Sequence, residues 1–118
     1  MIQTFRDLEV YRRSFEASVA MYQLVKGYPR DELYGLISQI KRASTSVPLN
    51  IAEGYGKREN VDDFKRFLMM AMGSCNEMRV LMDLSARLGF IDEATHQKYE
   101  TEYDELGRML ATLRKRWK

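Results

Sequence analysis

Pro48 constrains this chain most, because it stands inside a stretch, Ser38–Gly56, that otherwise reads as one helix. A proline in a helix interior removes a backbone donor and presses on the carbonyl four residues back, here that of Ser44. That carbonyl needs another partner, and the short hydroxyl side chains beside it (Ser44, Thr45 and Ser46) are candidates. The expectation is a proline-interrupted helix docked tightly into a helical bundle.

Apolar residues recurring every three or four positions predict four helices, at about residues 7–26, 31–55, 60–88 and 92–116. In the first, Leu8, Tyr11, Phe15, Val19 and Tyr22 form the expected core stripe, and Gly27 with Tyr28-Pro29 ends it. In the second the stripe is Leu33, Leu36, Ile37, Ile40, Val47 and Ile51, with Gly54 and Gly56 as the stop. Asn60 is the expected N-cap of the third, and Asp62 and Asp63 suit the positive end of its dipole better than a metal or acid–base role. Phe64, Phe67, Leu68, Ala71, Cys75, Met78 and Met82 line its core face, and Gly89 ends it. Asp92 caps the fourth, which carries Tyr99, Tyr103, Leu106, Leu110, Leu113 and Trp117 at helical spacing. No segment alternates with period two, so no strand is expected. Short connections favour antiparallel neighbours. The predicted fold is all-α, an antiparallel up-down four-helix bundle, with residues 1–118 as one domain.

Two helices carry more apolar surface than one core stripe requires. On the first, Val10, Ala17, Met21 and Leu24 fall roughly opposite the Leu8–Tyr22 stripe; on the third, Met69, Met72 and Val80 lie off the core face. One reading is harmless surface; the other is a contact between identical subunits. The second helix adds a polar row, Gln39, Arg42, Ser46, Asn50 and Glu53, which shares one side and faces Ser74 and Glu77 if the helices pair. Gly73 and the Ala43–Ser46 cluster are expected to let the two backbones approach. This row is either a hydrogen-bonded seam or, through Lys41 and Arg42, a phosphate contact.

The formal net charge is +2, too weak to argue for nucleic acid by itself. Its placement is less even: Arg114, Lys115 and Arg116 crowd the C-terminus beside Trp117 and Lys118. Those cations suit a helix C-terminus, and they equally suit phosphate. No stretch approaches the roughly 20 apolar residues of a membrane helix, the start lacks a signal-peptide pattern, and one cysteine cannot form an internal disulfide. A cytoplasmic setting is expected. His96 has no His or Cys at ligand spacing, and Cys75 has a core position and no basic neighbour in sequence. Phosphate-binding and dinucleotide glycine patterns are absent. The expectation is no catalytic residues, no cofactor, no metal site and no enzyme.

The run Ser38-Gln39-Ile40-Lys41-Arg42-Ala43-Ser44-Thr45-Ser46-Val47-Pro48-Leu49-Asn50-Ile51-Ala52-Glu53-Gly54 resembles a signature of the 23S rRNA intervening-sequence proteins. Tyr28–Leu36, Ala71–Glu77, Leu88–Ile91 and Phe5–Tyr11 resemble that family's other motifs, so the resemblance spans nearly the whole chain. Tyr11 stands where tryptophan is usual, Cys75 where a larger apolar residue is common, and Arg79 where an acidic or polar one often stands. The family in turn resembles the accessory variability determinant of diversity-generating retroelements. The resemblance implies a homopentamer of four-helix protomers around a central channel and no catalytic activity. For the retroelement branch it implies partners: a reverse transcriptase and template RNA, met through basic surfaces.

Two functions are therefore expected to compete. One is an RNA-binding accessory protein whose phosphate-contact candidates are Lys41, Arg42, Lys57, Arg58, Lys65, Arg66, Arg114, Lys115 and Arg116. The other is a scaffold that recruits a protein partner such as a reverse transcriptase.

Overall fold

The computed structural model describes residues Met1–Lys118 as four long helices and no strand. These are α1 (Glu9–Leu24), α2 (Leu36–Gly56), α3 (Val61–Arg87) and α4 (Glu93–Arg116). At about 1.5 Å per residue the 27-residue α3 is about 40 Å long, so it spans nearly the whole 44 × 24 × 21 Å rod. Neighbours run antiparallel. Arg42 of α2 pairs with Glu77 of α3, and nearer the turn Tyr55 meets Phe64. Arg79 and His96 join α3 to α4 through Glu100 and Asp83. Helix α1 lies between α2 and α4, and α3 occupies the corner diagonal to it.

Side-chain capping fixes where α3 and α4 begin. The Asn60 side chain accepts from Asp63 N at 3.1 Å and the Asp92 side chain from Thr95 N at 2.8 Å, as their sequence positions predicted. Gly89, at φ 81°, provides the left-handed residue after α3. The second helix starts later than its periodicity suggested. Arg30–Glu32 form a 3₁₀ turn after Pro29, and Glu32 then accepts from Leu36 N at 3.1 Å, so the regular helix begins at Leu36. Leu33 is consequently exposed and not part of the core. Around α1, short 3₁₀ turns at Phe5–Asp7 and Val25–Gly27 replace the ends of the expected helix.

Apart from Leu33, the core stripes of α2 and α3 are buried as expected, with Ile40, Val47, Ile51, Phe64, Leu68, Met78 and Met82 fully inside; on α4 Tyr103, Leu106 and Leu110 are fully inside, and Tyr99, Leu113 and Trp117 are half-buried. Helix α1 is turned the other way. Val10, Ala17 and Met21, read as an outer face, are 4%, 5% and 0% exposed, and Leu24 is half-buried. Phe15, Val19 and Tyr22, read as core, are 47%, 44% and 41% exposed. Both stripes have helical spacing, so spacing could not say which one turns inward. Size decides it: Ser14, Ala17 and Ser18 let α1 lie close to the other helices. The buried Ser14 hydroxyl is satisfied by donating to Tyr11 O at 3.0 Å.

Pro48 is buried within α2 without breaking it. The neighbouring hydroxyls do not turn to the Ser44 carbonyl as expected. Ser44 and Thr45 donate to Lys41 O at 3.2 and 2.8 Å, and Thr45 also lies 3.1 Å from Arg42 O. Gly54 is not a stop either, since α2 continues to Gly56. It is the point of closest approach to α3, where an added Cβ would lie 2.6 Å from Phe67 Cβ and 3.1 Å from Phe64 Cδ1. Gly73 does not serve this purpose; a Cβ there meets nothing within 4 Å in the protomer.

Gly54→Ala is expected to force α2 and α3 apart. The strain, about 1–3 kcal/mol, should exceed the helix-propensity gain of about 1 kcal/mol. Thermal unfolding should show a lower Tm; an unchanged or raised Tm would show that the crossing has slack.

Candidate nucleic-acid interface

The antiparallel topology collects residues that are far apart in sequence. The C-termini of α2 and α4, the N-terminus of α3 and the 3₁₀ turn before α1 share one end of the rod. Lys57, Arg58, Lys65, Arg66, Arg114, Lys115 and Arg116 are therefore brought to one cationic end. Trp117 fastens the C-terminal part: its ring meets Phe64 edge-on at 4.7 Å and Tyr55 at 6.3 Å. The basic residues before Trp117 are thus held beside the α2–α3 connection.

Several of these cations lie on aromatic rings. Arg58 stands 4.1 Å from the Tyr55 centroid, Arg66 4.8 Å and Lys57 5.8 Å from that of Phe67. Arg58 also donates to Tyr55 O at 3.0 Å and so helps to close the end of α2. Only Arg66 among them has a carboxylate within 4 Å, Asp63 at 3.5 Å. The end also includes Asp7, Glu9, Glu53, Glu59, Asp62 and Asp63, but with Arg6 and Arg12 the cations outnumber these carboxylates. Arg6 and Arg12 belong to it as well, Arg12 donating to Arg6 O at 2.9 Å. Nothing in sequence linked these two to residues 57–66, because only folding places the start of the chain there.

Lys41 and Arg42 do not join this group. They lie about 16 residues back along α2, roughly 24 Å at helical rise. Lys41 covers the Tyr22 ring at 4.9 Å, and Arg42 is paired with Glu77. Arg42 belongs instead to the polar seam between α2 and α3. There Ser46 and Ser74 hydroxyls are 2.8 Å apart, and Asn50 Nδ2 donates to Ser46 O at 2.8 Å and Ser46 Oγ at 2.9 Å. Gln39 and Glu53, placed in the same row by spacing, are exposed and outside this network.

Arg79 adds no free charge to α3. Glu100 at 2.7 Å and Asp104 at 3.6 Å engage it. Cys75 is buried, and burial pushes its thiol up to about 12, far from a nucleophile's range. No group of three His, Cys, Asp or Glu residues is close enough to hold a metal ion. No helix is long and apolar enough to cross a membrane.

A second surface lies along the flank between α1 and α2. Phe5, Tyr11, Phe15, Val19, Pro48, Leu49 and Ala52 line most of a 360 Å³ apolar groove there, and Leu49 is 65% exposed. On the α3 corner, Met69, Met70, Val80, Leu84 and Leu88 are also about half exposed. The extra apolar surface expected on the first helix exists, but it is the Phe15–Val19–Tyr22 face.

Fold and surfaces together define a small all-helical protein of four antiparallel helices with one cationic end and apolar outer faces. The family model for the 23S rRNA-intervening sequence protein matches residues 6–112, and the chain belongs to that family. A crystal structure of a protein of unknown function from the S23 ribosomal protein family of Bacteroides thetaiotaomicron is similar, with TM-score 0.81 and 24% identity. The match covers 90% of this chain and 95% of that one, and it shows a shared fold. No curated protein matches the chain.

His96 provides a pH test of the α3–α4 junction. Its hydrogen bond to Asp83, at 2.7 Å, raises its pKa above the usual value. A raised folded pKa means stability that is full below the unfolded pKa and lost as pH rises through the folded one. Asp7 and Asp92 are shifted downward and titrate in the acid range, outside this window. Between about pH 5.5 and 8 the wild type should lose a small increment, under about 1 kcal/mol for a surface pair. Calorimetry should find that increment gone in His96→Gln. An equal loss in the variant would assign it to other groups.

Proposed function

We propose that this protein is a non-enzymatic RNA-binding accessory protein that works as a homo-oligomer, a pentamer by family resemblance. The observation that carries the reading is the cationic end, where Lys57, Arg58, Lys65, Arg114, Lys115 and Arg116 have no carboxylate within 4 Å. Helix-dipole compensation accounts for a cation or two per helix end, not for a group drawn from three elements. Phosphate is the partner such a group suits, and the family's name, 23S rRNA-intervening sequence protein, favours RNA as the form of it. A single protomer offers few contacts. An assembly repeats them, and avidity raises affinity without any new contact. The free buried thiol of Cys75 fits a reducing, cytoplasmic setting.

A structured RNA should bind at low salt, with log affinity falling linearly as log salt rises. Replacing Lys57, Arg58, Lys115 and Arg116 with alanine should weaken binding by about tenfold or more and flatten that slope. Lys41→Ala should change neither. Fluorescence anisotropy with labelled RNA reads both quantities. No binding at low salt, or a quadruple variant that binds like wild type, sinks the proposal.

The second reading is a scaffold for a protein partner such as a reverse transcriptase. It is favoured by Tyr34, 93% exposed beside exposed Leu33 at the opposite end from the cations. Under this reading Tyr34→Ala abolishes co-purification with that enzyme, and the alanine variant of the cationic end does not.

A further inference from the structure

Where the chain enters α1, five side chains line a single cleft of about 570 Å³: Arg6, Tyr11, Arg12, Phe15 and Glu16. Tyr11 and Phe15 stand one turn apart on the helix, and Arg12 and Glu16 form the adjacent row at the same spacing. Arg6 reaches the cleft from the 3₁₀ turn Phe5–Asp7. An aromatic wall, two guanidiniums and one carboxylate thus share one concavity at the edge of the cationic end.

The wall and the arginines are held in place. Phe5 packs edge-on against Tyr11 at 4.9 Å, and the Phe15 ring lies 6.0 Å from that of Tyr11. Arg6 lies 4.5 Å over the Phe5 ring, and Arg12 donates to Arg6 O at 2.9 Å. Neither arginine has a carboxylate within 4 Å. Asp7, beside them in sequence, accepts instead from the backbone N–H groups of Gln3 and Thr4 at 2.8 and 3.0 Å. Glu16 is exposed and equally has no cation within 4 Å.

We propose that this cleft holds one unstacked guanine of a single-stranded RNA segment. The inference rests on the RNA-binding reading and names the form of RNA the cationic end takes. Single-stranded bases are recognised by stacking on aromatic rings and by hydrogen bonds to their Watson–Crick edges. The half-exposed Phe15 ring, with Tyr11 behind it, offers the stacking surface. A carboxylate only accepts hydrogen bonds, so Glu16 suits a base edge made of donors. Guanine presents two adjacent ones, N1–H and the N2 amino group, which match the two oxygens of one carboxylate. Arg6 and Arg12 meet the phosphates on either side. For a site that held phosphate alone, Glu16 would be a repulsive intrusion; for a guanine it is the reader. A paired guanine has no free Watson–Crick edge, so a duplex meets the basic residues of the end without entering the cleft.

Fluorescence anisotropy at low salt tests this with three labelled RNAs: an oligouridine carrying one central guanosine, the same strand with inosine in its place, and a duplex of equal length. Inosine lacks the N2 amino group, so wild type should bind the guanosine strand about tenfold more tightly. Glu16→Ala, at an exposed helical position, should remove that preference by weakening the guanosine strand alone. Phe15→Ala should weaken both single strands about tenfold and leave the duplex unchanged. Equal affinity of wild type for the guanosine and inosine strands overturns the inference. So does a Glu16→Ala variant that binds every RNA more tightly, because the carboxylate then only repels phosphate. A Phe15→Ala variant whose assembly mass changes in light scattering assigns the ring to a subunit contact and overturns it as well. In each of these cases salt-dependent binding of the duplex keeps the RNA-binding reading intact. Failure of all three RNAs to bind sinks both.

Discussion

The close approach of α2 to α3 at Gly54 governs most of what surrounds it. With no Cβ there, α2 reaches the backbone side of Phe67 and the ring of Phe64. That separation places Ser46 and Ser74 within hydrogen-bonding distance one level down, and Arg42 against Glu77 below that. A polar seam of this kind is tolerable only when its members are all partnered, since each orphan costs about 1–3 kcal/mol. Above the crossing, the same geometry sets Tyr55 against Phe64 and leaves a site for Trp117. The cationic end is thus a product of helix packing: the rings that anchor α4 also hold the basic residues beside one another.

Helix α1 shows a different balance. It buries Val10, Ser14, Ala17, Ser18 and Met21 and leaves Phe15, Val19 and Tyr22 half in water. The small residues of that buried face let the helix axis come close to its neighbours, and the larger aromatic and β-branched row stays outside.

Much of this was legible in the residues themselves. The caps at Asn60 and Asp92, most of the core stripes of α3 and α4, a polar row on α2 facing Ser74 and Glu77, and the Ser38–Gly54 signature all follow from local chemistry or spacing. The errors share one cause. Periodicity reports that a helix has a face, not where that face points, so α1 was turned over. Glycine reports that a side chain is missing, not what fills the space. Gly54 therefore read as a stop and Gly73 as a crossing point, and the structure gives the crossing to Gly54 alone. Lys41 and Arg42 were grouped with the other cations by charge, although Tyr22 and Glu77 already hold them.

Sequence alone determined that the chain is helical, where most helices begin and end, and to which family it belongs. These depend on interactions within a few residues or on a contiguous motif. Tertiary structure alone decided which stripe of α1 is buried, which glycine lies at the crossing, and which cations share an end. Each of those depends on residues dozens of positions apart being brought to one place, and the distance between them is set by how closely four helices pack.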